Sequence, residues 1–119
     1  MVSKILLVIK SAPYGGGRAT EGLRMATAMI AMDVLPQILF VDDGVYCLVK
    51  NQTPETVGLT SFAERLKAIV DLIGVHVLSD SLNQRSVKND DLEGNCKVKT
   101  LTLDETADLF AQCDSVITF

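Results

Sequence analysis

The feature that most constrains this chain is a pair of uninterrupted apolar runs, Ile5–Ile9 (ILLVI) and the QILFV of residues 37–41, separated by one amphipathic segment. An apolar run without polar alternation is what a strand buried on both faces of a parallel sheet requires. Between the runs, Leu23, Ala26, Met29 and Ile30 recur at helical spacing with Ala19 on the same side, which predicts a helix over residues 19–32. Strand, helix and strand at this spacing form a right-handed βαβ unit with a parallel pair.

The remainder of the chain continues the alternation. Thr53-Pro54 reads as a helix entry, with Phe62, Leu66, Ile69, Val70 and Ile73 as its apolar stripe and Gly74 as its C-cap. Residues 75–78 read as a short strand, 81–85 as a short helix, and 89–91 as part of a polar loop. Residues 98–101 form another extended run, and Thr102-Leu-Asp-Glu105 has the pattern of a capping box opening a helix that runs to about residue 112. Residues 115–119 read as a final strand. The expected architecture is therefore α/β: a single three-layer α/β/α domain spanning 1–119, with a mostly parallel five-stranded sheet and flavodoxin-like topology. Ligands of such sheets bind at the carboxyl ends of the strands, where residues 11–18, 42–47 and the segment after Leu78 converge.

Composition narrows the functional classes. A length of 119 residues suits one core, and 48% apolar residues with no Trp describe a packed aliphatic interior. A net charge of −4 offers no electrostatic footprint for nucleic acid. The first apolar run is too short for a signal peptide or a membrane span, so a cytoplasmic protein without direct nucleic-acid or membrane partners is expected. Cys47, Cys96 and Cys113 form no CxxC pair and His76 is the single histidine, so neither a metal nor another cofactor is expected.

Three stretches carry candidate chemistry. The first is the bend Pro13-Tyr14-Gly15-Gly16-Gly17-Arg18, whose Gly15 and Gly17 begin a GxGxxG pattern that Thr20 breaks; no GK[ST] follows. What remains is a glycine turn at a helix N-terminus, able to seat a small anionic or sulfur-bearing group with Arg18 adding charge, or simply a tight turn. The second is Asp42-Asp43-Gly44-Val45-Tyr46-Cys47. Its carboxylates suit a solvated turn, and its Val45 and Tyr46, like Leu48, suggest cover by a neighbouring subunit or by the glycine bend. The third is the thiols: Cys113 reads as packing, while Cys47 and Cys96 remain open as sulfur-bearing positions without a basic cluster beyond Lys97 and Lys99.

Taken in order, the SAPYGGGRATEGL bend, the DDGVY turn, the LIGVHVLSDSLNQRSV segment and the CDSVITF ending resemble the DsrE/DsrF family of sulfur-relay proteins across nearly the full length, most closely its DsrF/TusC-type subunits. The resemblance implies an α/β subunit of a homo- or hetero-hexamer, with DsrE-like and DsrH-like sister subunits in the latter. It also implies sulfur passed as a cysteine persulfide from a donor protein to an acceptor protein, serving either tRNA thiolation or sulfur oxidation. In DsrE-type carriers a cysteine follows the third strand, ahead of a short helix ending in R-x-V or R-x-L. Leu78 holds that position here, and a leucine forms no persulfide. The resemblance therefore implies an architectural subunit that is not itself catalytic. Two alternatives stand beside it: a stand-alone persulfide carrier using Cys96 or Cys47, and a small-ligand or nucleotide-binding α/β module.

Overall fold

The computed structural model describes residues 4–59 and 61–119. Five strands, β1 (Ile5–Ile9), β2 (Gln37–Phe40), β3 (Val75–Leu78), β4 (Lys99–Leu101) and β5 (Ser115–Thr118), form one sheet in the order β4-β3-β2-β1-β5. All four pairings are parallel. Helices α1 (Arg18–Ala31), α2 (Phe62–Lys67), α3 (Ser79–Gln84) and α4 (Leu103–Gln112) cover the two faces.

The layering follows from connection handedness. From β1 to β4 the chain steps in one direction, so right-handed crossovers place α1, α2 and α3 on the same face. The β4-to-β5 connection runs back across the sheet, and the same handedness sends α4 to the opposite face. The cores reflect this asymmetry. The first face packs Leu7, Ile9, Ile38, Phe40, Val75 and Val77 against Leu23 and Ala26 of α1, Phe62 and Leu66 of α2, and Leu82 of α3. Phe40 and Phe62 meet edge to face at 6.1 Å, a contact that adds about 1 kcal/mol beyond area burial. The second face holds a thinner cluster, Leu6, Val8, Leu39, Leu101 and Leu109. The strand beside β1 on the short side is β5, last in the chain, where a flavodoxin-type order would place the second strand.

Local rules explain most boundaries. α4 opens on the expected capping box: the Thr102 N–H donates to Glu105 Oε1 at 2.9 Å, and Thr102 Oγ1 accepts from the Glu105 N–H at 3.2 Å. β1 and β3 fall where the apolar runs place them. The segment after Thr53 departs from expectation. Pro54–Val57 forms a 3-10 turn closed by Gly58 at φ 79°, and α2 begins afresh with Ser61 as its N-cap and spans six residues. Gly58 supplies the left-handed residue that ends a helix, so one long helix becomes two short pieces. Turns then carry the predicted stripe onward, and Ile69, Val70 and Ile73 still reach the core.

Candidate functional site at the carboxyl edge of the sheet

The bend at residues 11–18, the turn at 42–47 and the segment after Leu78 lie at the carboxyl ends of β1, β2 and β3, whereas Cys113 precedes β5 at the opposite edge. The bend after β1 places Gly15 at φ 104° and Gly17 at φ 80°, conformations that favour glycine, and Gly17 is the N-cap of α1 without a side-chain cap. No heavy atom lies within 4 Å of where a Cβ would stand on Gly15, Gly16 or Gly17. The close-packing glycine that Thr20 fails to supply stands two residues later. A Cβ on Gly22 would lie 3.1 Å from the side chains of Ile9 and Phe119, so this residue seats α1 against the sheet.

Pro13 is buried and Tyr14 half-buried, while Gly15, Gly16, Gly17 and Arg18 are exposed. Tyr14 ties the bend to α2: its hydroxyl accepts the Phe62 N–H at 3.2 Å, satisfying one of the orphan donors at that helix start. Tyr14 also stands between two hollows. One, of about 400 Å³, is lined by Pro13, Gly15, Gly17, Thr20 and Arg65. The cation facing this hollow is thus Arg65 of α2, which sequence reading missed, and Arg18 is not part of the lining. Nothing local to residue 65 signals the placement; it follows from how α2 packs beside the bend.

The second hollow, about 170 Å³, is lined by Cys47, Gln52, Ser61, Glu64 and Glu93 in addition to Tyr14. Cys47 is 1% exposed and its thiol donates to the Ser11 carbonyl at 3.7 Å. Burial pushes this thiol far above its ordinary range, the backbone hydrogen bond opposing only weakly. Cys96 is fully buried, with its thiol directed at the Ala63 carbonyl at 3.9 Å. Burial first, and then the Glu93 carboxylate, push it up to about 11, against the opposing pull of Lys67. The sequence placed Cys96 after a flexible stretch; a 3-10 turn at Gly94–Cys96 instead turns it inward. Cys113 is half-buried, and burial raises it as well. Thiolate is the nucleophile and the sulfur acceptor, and at all three cysteines burial favours the neutral thiol over it.

The turn after β2 is a 3-10 helix over Asp42–Leu48. Val45, expected beneath a neighbouring subunit or the glycine bend, and Leu48, expected beneath a partner surface, are fully buried in this chain's own core; Tyr46 alone of the three is exposed, at 38%. A 3-10 turn with near three-residue periodicity directs 45 and 48 to the same side, a pattern the sequence did contain. Gly44 makes that packing possible, because a Cβ there would lie 2.0 Å from the Ile9 carbonyl oxygen. Asp42 carries φ 50°, and its N–H donates to the buried Ser81 Oγ at 2.9 Å. Asp43 accepts from Arg85 Nε at 3.0 Å.

Leu78 ends β3 and is the N-cap of α3, half-buried and in register with Leu101, whose side chain packs on the face that α4 covers. His76 lies on that face too, at the opposite end of β3 from the edge. Its Nε2 is 2.6 Å from Gln37 Oε1, and burial, with Lys99 nearby, holds the imidazole below its ordinary range. It is a packed residue of β3. Among the described residues no group of three or more His, Cys, Asp or Glu side chains is placed to hold a metal ion. No described helix is long and apolar enough to cross a membrane.

Fold and edge together define a small, all-parallel α/β protein whose glycine bend, acidic turn and β3 terminus share one rim, with the nearby thiols closed beneath it. A family model described as DsrE/DsrF-like matches residues 3–119, and the chain belongs to that family. The intracellular sulfur oxidation protein DsrF of Allochromatium vinosum is 33% identical over 94 residues, covering 77% of this chain and 69% of that protein. A TusC homologue of Aliivibrio fischeri is 28% identical over 120 residues, covering 99% of this chain and 100% of its own. Among solved structures, the ychN protein of E. coli superposes with a TM-score of 0.86 at 23% identity, covering 99% of this chain and 100% of that one. This last likeness is one of fold.

Proposed function

We propose that this chain is a DsrF/TusC-type subunit of a cytoplasmic sulfur-relay assembly and that its part there is architectural, the principal sulfur-carrying thiol residing on another subunit. One observation supports the reading: Leu78 stands at the end of β3, the position to which the resemblance assigns the carriers' cysteine, and the two thiols nearest that rim, Cys47 and Cys96, are buried. Similarity to DsrF and TusC proteins supplies the sulfur-relay context. Tyr46 is the exposed aromatic of the rim and serves as the contact to sister subunits or to a second copy.

The test is intact-mass spectrometry after incubation with a cysteine desulfurase and cysteine, with an active acceptor protein as positive control. The native chain is expected to gain no sulfur, whereas Leu78→Cys gains one that reductant removes. Sulfur on the native chain that disappears in Cys96→Ser or Cys47→Ser would instead make the protein a stand-alone carrier. Tyr46→Asp is expected to lower the assembly mass in light scattering; an unchanged mass moves the contact elsewhere.

A further inference from the structure

The acidic turn and α3 carry two of the sequence motifs that define this chain, D-G-V-Y at 43–46 and R-S-V at 85–87, and the fold links them directly. Arg85, at the end of α3, points back along its own helix: Nη1 donates to the Ser81 carbonyl at 3.4 Å while Nε donates to Asp43 Oδ1 at 3.0 Å. Its side chain is 21% exposed and that of Asp43 is 61% exposed. Beside this pair, Ser81, itself buried, accepts the Asp42 N–H. The hold falls where the backbone turns sharply: Asp42 sits at φ 50°, in the left-handed region that few residues other than glycine, asparagine and aspartate adopt. Contacts from α3 thus hold both of the first two residues of the turn that carries Tyr46.

We infer that Arg85 is a positioning residue for the rim: together with Ser81 it clamps the Asp42–Leu48 turn onto α3 and so sets the orientation in which Tyr46 meets a partner subunit. The inference rests on the proposed assembly for its consequence, although the clamp itself is a property of the single chain. The clamp is electrostatic at its outer contact and fork-shaped at its donor, so charge alone does not reproduce it. A lysine in place of Arg85 retains the charge but carries all three of its N–H donors on one nitrogen, so it does not span the Ser81 carbonyl and the Asp43 carboxylate as the separate Nη1 and Nε do.

Hydrogen–deuterium exchange read by mass spectrometry on the full chain tests the clamp, and light scattering over a concentration series tests its consequence. Arg85→Gln is expected to speed exchange of the 42–48 amides about five-fold while β1 and α1 exchange unchanged, and to weaken the assembly by a similar factor. Arg85→Lys is expected to recover less than half of the protection, and the charge-reversed pair Asp43→Arg with Arg85→Asp to recover more than either single change. Unchanged turn exchange in Arg85→Gln, or full protection in Arg85→Lys, overturns the inference. If turn exchange rises but Tyr46→Asp leaves the assembly intact, the docking role falls and with it the positioning claim. If Tyr46→Asp dissociates the assembly and Arg85→Gln does not weaken it, only the positioning claim falls.

Discussion

The two turns that open the carboxyl edge of the sheet use glycine for opposite reasons. After β1, three consecutive glycines stand in open space, and two of them are required only for the sign of φ. After β2, the single Gly44 has no unusual φ, but the backbone of β1 passes so close that no side chain fits. The first turn is conspicuous in sequence and tolerant in structure; the second is inconspicuous and intolerant. Conformational freedom costs a substituted residue about 1–2 kcal/mol, whereas a collision with backbone has no rotamer through which to relax.

This contrast can be broken in order of expected effect. Gly44→Ala is expected to cost about 3 kcal/mol or more, because the added methyl meets the Ile9 carbonyl oxygen at 2.0 Å; a melting curve close to the native one would end the comparison. Gly22→Ala should cost about 1–2 kcal/mol, since its methyl meets only side-chain atoms of Ile9 and Phe119, which can yield by a few tenths of an ångström. Gly17→Ala, at φ 80° in open space, should cost about 1 kcal/mol. Gly16→Ala, with open space and no φ in the left-handed range, should stay within about 0.5 kcal/mol. Urea titrations of the four variants side by side measure the ranking, and an inversion of Gly16 and Gly44 would falsify it.

The glycine bend also shows why a phosphate-binding reading does not follow from its glycines. In a dinucleotide fold the second glycine lets the backbone approach a pyrophosphate and the third lets the helix approach the sheet. Here helix and sheet meet through Gly22, five residues beyond Gly17, and what the bend holds close is Tyr14, which reaches across to the start of α2. The bend serves to present Tyr14 and start α1.

Much of the fold was legible because its signals are local. The apolar runs place β1 and β3, and the T-x-x-E pattern places the start of α4, since each rests on residues within one turn or one strand of one another. The split of the predicted long helix was less so: Gly58 was visible, but the apolar stripe beyond it argued for continuity, and the chain satisfies that stripe with turns instead. The site was legible as a set of segments and not as contacts. Val45 was read as covered by a neighbouring subunit or by the glycine bend, and Leu48 as covered by a partner, because a turn after a strand is ordinarily solvated, whereas the 3-10 geometry and Gly44 press both into the core. Cys96 follows a Gly-Asn pair that suggests exposure, yet it packs against α2, where its thiol meets the Ala63 carbonyl 33 residues earlier in the chain.

By itself, the sequence determined the element order, the parallel sheet, the convergence of three motifs on one edge and the leucine at the end of β3. These rest on periodicity, on handedness and on residue identity, all of which act over short stretches of chain. Only the tertiary structure decided that β5 joins β1, through contacts such as the Lys4 N–H to Asp114 Oδ2 across 110 residues. It alone also decided that Arg65 faces the glycine bend, that the two rim thiols are closed, and that Arg85 reaches Asp43. These outcomes depend on which surfaces remain to be covered once every helix has packed, and no window of sequence contains that information.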